Sequence, residues 1–521
     1  MKLERTKNAG RNILFGVVVK VYQILIPFIL RTIFIYTLGI EYLGLNSLFT
    51  SVLSVLNLFE LGVGAAMVFS MYKPIVKDDK EKICALMNLY KSYYRIIGAV
   101  ILLLGLCIIP LIPKLISGKV PSDINIYIIY ILNLLTTVIS YWLFAYKNCI
   151  LSAHQRVDMA SKVTLGVSTI QYLLQAVFLI AFKSYYLYLI IALIAQIVTN
   201  IAIKIVADKL YPSYIAKGQI SSEERKIING KVRDLFTSHL GGTVVNTADS
   251  LVISAFLGIT VLAIYQNYYY IVSSVIGFLA IIYSSVTAGV GNSILLKSKE
   301  DNYKDLNIFT LLITWLAGVC ICCFVVLFQP FMVLWLGKSN VIDYGIVVLL
   351  AIYFWVYEWV MMLSVYKDAA GIWHKDRFRP LVSGVVNLFL NLLMVKYIQL
   401  YGVVLSSVIS ILFISLPWII INVHSLIFQI KPLIYFFRFI MYSLIIGLVT
   451  FVAKILDGFI VGDGVVAFIL RFVLAIAISN ISFLLLFRLS KYYNGALDMV
   501  GRMLHIERIM EKIKRKKYES S

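Results

Sequence analysis

The amino-acid sequence predicts an all-α polytopic membrane protein, and three observations carry that prediction. The 521 residues are 61% hydrophobic, with a mean hydropathy of +0.91, far above a soluble domain. Charged residues make up 14% of the chain. That is too few to cover a water-soluble surface of this size, so lipid must solvate much of it. Finally, the apolar residues gather in runs of about 20 or more, the length at which a helix crosses a bilayer.

About fourteen such runs follow one another, near 12–38, 43–72, 92–116, 124–146, 161–182, 186–206, 234–257, 261–290, 306–336, 343–366, 380–400, 402–424, 434–456 and 464–489. The first carries Lys20, Gln23, Pro27 and Arg31 at spacings of three, four and four, which is one helical face. Lys20 and Arg31 then project the same way, roughly 16 Å apart along the axis. Cations in hydrocarbon are costly unless they face protein or a wet cavity. The second run places Ser47, Thr50, Ser54, Asn57 and Glu60 along one side, followed by Gly62 and Gly64. In the seventh, Ser238, Gly242, Asn246 and Asp249 share a face, and the eighth holds Gln266, Asn267, Tyr268, Tyr269, Tyr270, Ser273 and Ser274.

Lysine and arginine set the orientation. Basic clusters at Lys73–Lys82, Lys147–Lys162, Lys209–Arg233, Lys297–Lys304 and Lys367–Arg379 fall on one side, and the opposite loops hold little beyond Lys114, Lys119, Lys183 and Lys338. Both termini are basic, so the reading is N-in and C-in. The same distribution explains the net charge of +21 without nucleic acid, which is excluded as a partner. The first run is too long for a cleaved leader and is expected to act as its own insertion signal.

Two halves resemble each other at an offset of about 220 residues. Leu38-Gly39-Ile40 follows the first run and Leu257-Gly258-Ile259 the seventh; Tyr146-Lys147 with His154 ends the fourth and Tyr366-Lys367 with His374 the tenth. This predicts two pseudo-symmetric six-helix lobes of the same orientation, as in parallel transporter repeats. The expected divisions are an N-lobe over 1–210, a connection over 211–232, a C-lobe over 233–424, two further helices over 425–489 and a basic amphipathic tail over 490–521. Met499, Met503, Ile506, Met510 and Ile513 would form the apolar stripe of that tail on an anionic inner leaflet. Shifted by the repeat offset, the stripe of the first run meets that of the seventh. A cavity between the lobes satisfies both.

Chemistry narrows the candidates. A guanidinium stays charged when desolvated and forks onto phosphate oxygens, which makes Arg31 the first candidate for binding a diphosphate. Lys20 is a second point charge nearer the basic side. Pairing of Arg31 with Glu60 or Asp249, and snorkelling of Lys20, are the structural alternatives. Gln23, Asn57, Asn246, Gln266, Tyr269 and Tyr270 are the cavity residues suited to sugars, since aromatic faces meet C–H patches and amides meet hydroxyls. Helix-to-helix polar contacts and interfacial tyrosine are the alternatives there. Glu60, Asp249 and Glu358 lie within runs and are the candidates for coupling to H+ or Na+, or else partners of buried polar groups. No phosphate loop, HExxH or GxSxG motif is present, and the five histidines are scattered, so no catalytic residue, metal or cofactor is expected. The six cysteines, Cys320 and Cys323 included, read as packing residues.

The segment from Arg31 to Leu45, followed by Leu58-Phe-Glu-Leu-Gly-Val-Gly64 and Tyr72-Lys-Pro74, resembles the multidrug/oligosaccharidyl-lipid/polysaccharide exporter superfamily. Within it the resemblance is to the polysaccharide-biosynthesis proteins that flip lipid-linked repeat units for O-antigen or capsule. The resemblance implies alternating access by two six-helix lobes, with spans one, two, seven and eight lining the cavity. It implies a polyprenyl-diphosphate oligosaccharide as substrate, a bacterial cytoplasmic membrane as its place, and a polysaccharide polymerase and glycosyltransferases as partners. Family arginines of the first span correspond to Arg31. The expected function is therefore a flippase and not an enzyme. A cation-coupled drug antiporter, a lipid II flippase and a membrane glycosyltransferase or polymerase are the rivals.

Overall fold

The computed structural model describes residues 2–60, 62–118 and 120–503, and within them all side chains but those of 2–18, 59, 234–235, 237–246, 288, 500 and 502–503. Among the described residues the regular structure is entirely helical. In chain order the helices are α1 (Lys2–Leu38), α2 (Ile40–Leu56), α3 (Val63–Val76), α4 (Lys80–Ile108), α5 (Ile112–Leu115), α6 (Ile126–Trp142), α7 (Asn148–Ala153), α8 (Val157–Phe182), α9 (Tyr185–Leu210) and α10 (Ser222–Phe256). There follow α11 (Ile259–Leu296), α12 (Lys299–Leu336), α13 (Tyr344–Ala369), α14 (Trp373–Asp376), α15 (Arg379–Ser410), α16 (Leu416–Val423), α17 (Leu433–Asp457), α18 (Val465–Phe487) and α19 (Tyr493–Met503). Polar residues open them at the predicted aqueous ends: the side chains of Asp79, Ser184, Ser221 and Ser298 accept from the amides of Lys82, Leu187, Glu224 and Asp301, which satisfies donors a helix start leaves unpaired.

Among the described residues ten helical stretches are long and apolar enough to cross a membrane, or eleven if the bent pair of α6 and 145–153 counts as one. The fourteen expected runs exceed this number for local reasons. The second is broken. α2 and α3, of 17 and 14 residues, flank a 3-10 turn at Asn57–Glu60 and Gly62, whose φ of 86° suits glycine. The seventh lies in α10, where only Thr247–Phe256 enters the count because most side chains of 234–246 are outside those described. The expected eleventh and twelfth runs meet at a kink inside the apolar stretch Trp373–Phe428. Within it the backbone leaves helical geometry at Ile398 and Gln399, and a Cβ on Gly402 would stand 2.6 Å from the Met394 carbonyl. The chain thus breaks its helix beside the division expected between the runs 380–400 and 402–424. The tail is helical over α19, and its predicted stripe beyond Met503 lies outside the described residues.

The chain forms two compact units. The first comprises 1–267 and 377–406, the second 268–376 and 407–521. In the first, Leu45, Leu48, Met67, Ile101 and Tyr130 form part of the core. α2 approaches the start of α11 so closely that a Cβ on Gly44 would lie 2.1 Å from the Ile259 carbonyl oxygen. In the second, α12 and α13 are the central helices, with 67% and 72% of their apolar windows buried, against 33% and 17% for α17 and α18. Trp359 is fully buried there among the rings of Tyr435 and Phe439.

Local geometry repeats where the sequence does. Gly39 and Gly258, with φ of 112° and 98°, precede helices that each begin at isoleucine, α2 and α11. Lys147 meets Asp208 at 2.5 Å and Lys367 meets Asp368 at 3.0 Å and Asp376 at 3.7 Å. Both lysines are mostly buried at their helix ends.

Candidate functional site

In the first unit, the α1 stripe survives as a half-open face. Lys20 and Arg31 are half-buried and Gln23 is exposed. Tyr22, on another side of the helix, makes a 2.5 Å hydrogen bond with Thr169 of α8 and fixes the rotation of α1. Arg31 donates from Nε to Oδ1 of Asn267 at 2.6 Å, and Asn267 is itself fully buried. A buried amide holding a guanidinium by one edge orients the fork without neutralising its charge. Gln266, next in sequence, donates to Ser250 Oγ at 2.8 Å.

Asp249 stands in a polar cluster. Its Oδ1 accepts from Asn391 Nδ2 at 2.6 Å, Ser406 Oγ donates to Asn391 Oδ1 at 2.7 Å, and Asn387 Nδ2 reaches Ser406 Oγ at 3.4 Å. Arg379, Ser383, Asn387 and Asn391 recur every fourth residue on α15 and are all buried, so they form one polar column along a single helix face. This column was missed in sequence reading, although its spacing is visible there. Asn246 lies three residues before Asp249 on α10, and its side chain is outside those described. Among the described residues no group of three or more His, Cys, Asp or Glu gathers. One carboxylate among amide and hydroxyl oxygens suits a proton or a hard monovalent cation better than a transition metal.

Glu60 and Asn57 sit at the break between α2 and α3. Tyr141 donates to Asn57 Oδ1 at 3.1 Å, and Tyr94 donates to Glu60 Oε1 at 3.2 Å while accepting from Tyr90. Beside them lies a chamber of about 630 Å³, lined by residues of α3, α4, α6, α7 and α9 together with Glu60. Phe69 and Phe144 form part of its wall, and Lys231 and Lys204 lie 4.4 and 4.2 Å from the centres of those rings. Sequence reading named Glu60 but not the chamber, whose lining comes from segments up to 143 positions apart.

The second unit holds Tyr269, Tyr270 and Glu358. The Tyr269 hydroxyl lies 3.5 Å from that of Tyr353, and the Tyr270 carbonyl accepts from Ser273 and Ser274. Glu358 is fully buried on α13 and accepts a hydrogen bond from Tyr283 of α11. The predicted residues therefore fall into four groups: the α1 face with Asn267, the Asp249 cluster, the Glu60 chamber, and the residues of the second unit.

No protein-family model and no curated protein matches the chain. Solved structures do. The lipid II flippase MurJ in an inward closed conformation superposes with a TM-score of 0.56 at 14% identity, covering 88% of this chain and 99% of that one. A eukaryotic MATE transporter, AtDTX14, gives 0.55 at 13%, covering 84% and 99%. An outward-facing multidrug resistance MATE family transporter of the MOP superfamily gives 0.52 at 16%, covering 78% and 93%. The chain has the all-α membrane fold shared by MATE transporters and MurJ. The neighbours are transporters and a flippase, and none is an enzyme.

Proposed function

We propose that the protein is a flippase that moves a polyprenyl-diphosphate-linked oligosaccharide from the inner to the outer leaflet by alternating access, for surface polysaccharide assembly. The observation that carries this reading is the guanidinium of Arg31 within a membrane span, held at Nε by a buried amide at 2.6 Å. The physical need is plain. Sugars and a diphosphate cross hydrocarbon only if their water is replaced by protein groups. Arg31 would take the diphosphate in the outer half of the path, and Lys20 would meet it nearer the basic side. The superposition on MurJ, named a lipid II flippase, supports a fold able to do this for a lipid-linked saccharide.

In this reading the Asp249 cluster is the coupling site, taking H+ or Na+ on the carboxylate and the oxygens of Asn391 and Ser406. Glu358 is assigned a structural part. Deleting the gene in its native cells should leave lipid-linked saccharide on the inner leaflet. Plasmid-borne protein should clear it, and the Arg31→Ala variant should not. Full clearance by that variant removes Arg31 from the mechanism.

The antiporter reading keeps one specific support, a carboxylate set among aromatic rings in the Glu60 chamber, an arrangement that attracts organic cations. Lys204 and Lys231 on two of those rings oppose it. Drug resistance conferred by overexpression would favour the antiporter.

A further inference from the structure

The chamber beside the α2–α3 break is not needed to hold a diphosphate, and its chemistry is not that of a phosphate site. Its polar lining is one carboxylate, three tyrosine and two serine hydroxyls and two amides, Glu60, Tyr94, Asn148 and Ser152 among them. Its wall also carries aromatic rings, of which Phe69 and Tyr72 are 60% and 44% exposed. Large rings beside hydrogen-bonding groups match the two faces of a sugar, C–H patches on one side and hydroxyls on the other. A carboxylate offers about four acceptor positions, and the Tyr94 hydroxyl takes one on Glu60 Oε1. The volume of about 630 Å³ falls within the range of small-molecule sites.

Path length along the helices places the chamber at the loading end. Counted from the α1–α2 junction at Gly39, Lys20 lies roughly 28 Å back along α1 and Glu60 roughly 30 Å along α2 and its 3-10 turn, at 1.5 Å or slightly more per residue. The two thus lie at similar path lengths from the junction on the way to the basic loops, while Arg31 lies roughly 12 Å from it by the same count. The ammonium groups of Lys204 and Lys231 on Phe144 and Phe69 make this end of the path more positive still, which disfavours a net cation and leaves neutral or anionic saccharide as the fitting occupant.

We propose that this chamber is the entry subsite for the sugar moiety of the lipid-linked substrate, with Glu60 accepting from sugar hydroxyls, Phe69 and Phe144 packing on its C–H faces, and Lys20 meeting the diphosphate. The inference rests on the flippase reading, and the experiment separates the two. Purified full-length protein in detergent is titrated with two probes, synthetic polyprenyl diphosphate and the lipid-linked saccharide extracted from the native cells. Wild-type protein should bind the saccharide-bearing probe about tenfold more tightly than the bare lipid diphosphate. Glu60→Gln and Phe69→Ala should each erase most of that difference while leaving the bare probe unchanged. Both substitutions are mild, one isosteric and one at an exposed ring, and a retained gel-filtration peak checks folding. The double change Lys20→Ala with Arg31→Ala should weaken both probes. If the double variant binds both probes as wild type does, or wild type binds neither, the flippase reading falls and the subsite with it. If the double variant weakens both but the chamber variants keep the tenfold preference, the subsite alone is wrong.

Discussion

Glu60 and Glu358 each accept a hydrogen bond from a tyrosine on another helix, Tyr94 of α4 and Tyr283 of α11, yet their surroundings differ in every other respect. Glu60 ends a 3-10 turn at a helix break, is half-buried and lines a chamber. Glu358 sits in the uninterrupted middle of α13, is fully buried, and its Oε1 has no hydrogen bond among the described residues. A carboxylate within a span is a candidate for function, and the two differ in how much space a ligand would find beside them. The helix break makes the difference, because it opens space beside one glutamate that a continuous helix denies to the other.

The largest test of this contrast is truncation. Glu358→Ala strips the acceptor from a buried tyrosine and leaves a void, and should cost about 3 kcal/mol, read as a large fall in the unfolding temperature of the detergent-solubilised protein. Glu60→Ala should leave that temperature within a degree or two of wild type. Equal losses at the two sites would erase the contrast. Next in size is Arg31, the proposed diphosphate contact, compared with these carboxylates. Arg31→Ala should abolish export with folded protein still in the membrane, and Arg31→Lys should restore it only in part, since an ammonium cannot fork. Membrane-fraction blots beside an outer-leaflet saccharide assay decide it. Smaller is Asp249→Asn, which should slow export about tenfold, an amount equal to 1.4 kcal/mol in the barrier, and remove its dependence on the ion gradient. Unaltered gradient dependence would move coupling elsewhere. Smallest is Gly64→Ala. The new Cβ would stand 3.2 Å from the Tyr90 hydroxyl and 3.3 Å from Glu60 Oε1, so saccharide affinity should drop about threefold with stability changed by less than about 1 kcal/mol.

Much of the fold was legible in the sequence because membrane insertion imposes apolar length directly. The repeated Leu-Gly-Ile junctions were legible too, since both glycines take the positive φ that glycine adopts at least cost. Breaks were harder. The run 43–72 stays apolar across its interruption, and only Gly62 and Gly64 hint at it, whereas the division expected between 380–400 and 402–424 falls beside the kink at Ile398 and Gln399. For the site, residue types pointed to Arg31, Glu60 and Asp249, but their partners did not follow. Asn267 lies 236 positions from Arg31 and Asn391 lies 142 from Asp249, and a single sequence carries no signal for such pairs. The α15 column had a signal, polar residues at every fourth position, which the high hydropathy around it obscured.

The connection between the sequence halves is long enough to hang slack, but it does not. Asn88 of α4 donates to the Gly218 carbonyl at 2.9 Å, Tyr93 to Asn229 at 2.5 Å, Lys82 pairs with Glu224, and Lys147 reaches the Tyr214 carbonyl at 3.3 Å. A strap riveted along its length behaves as a splint. It carries a push from α4 into the base of α10 undiminished, and it offers a protease few loose turns to cut.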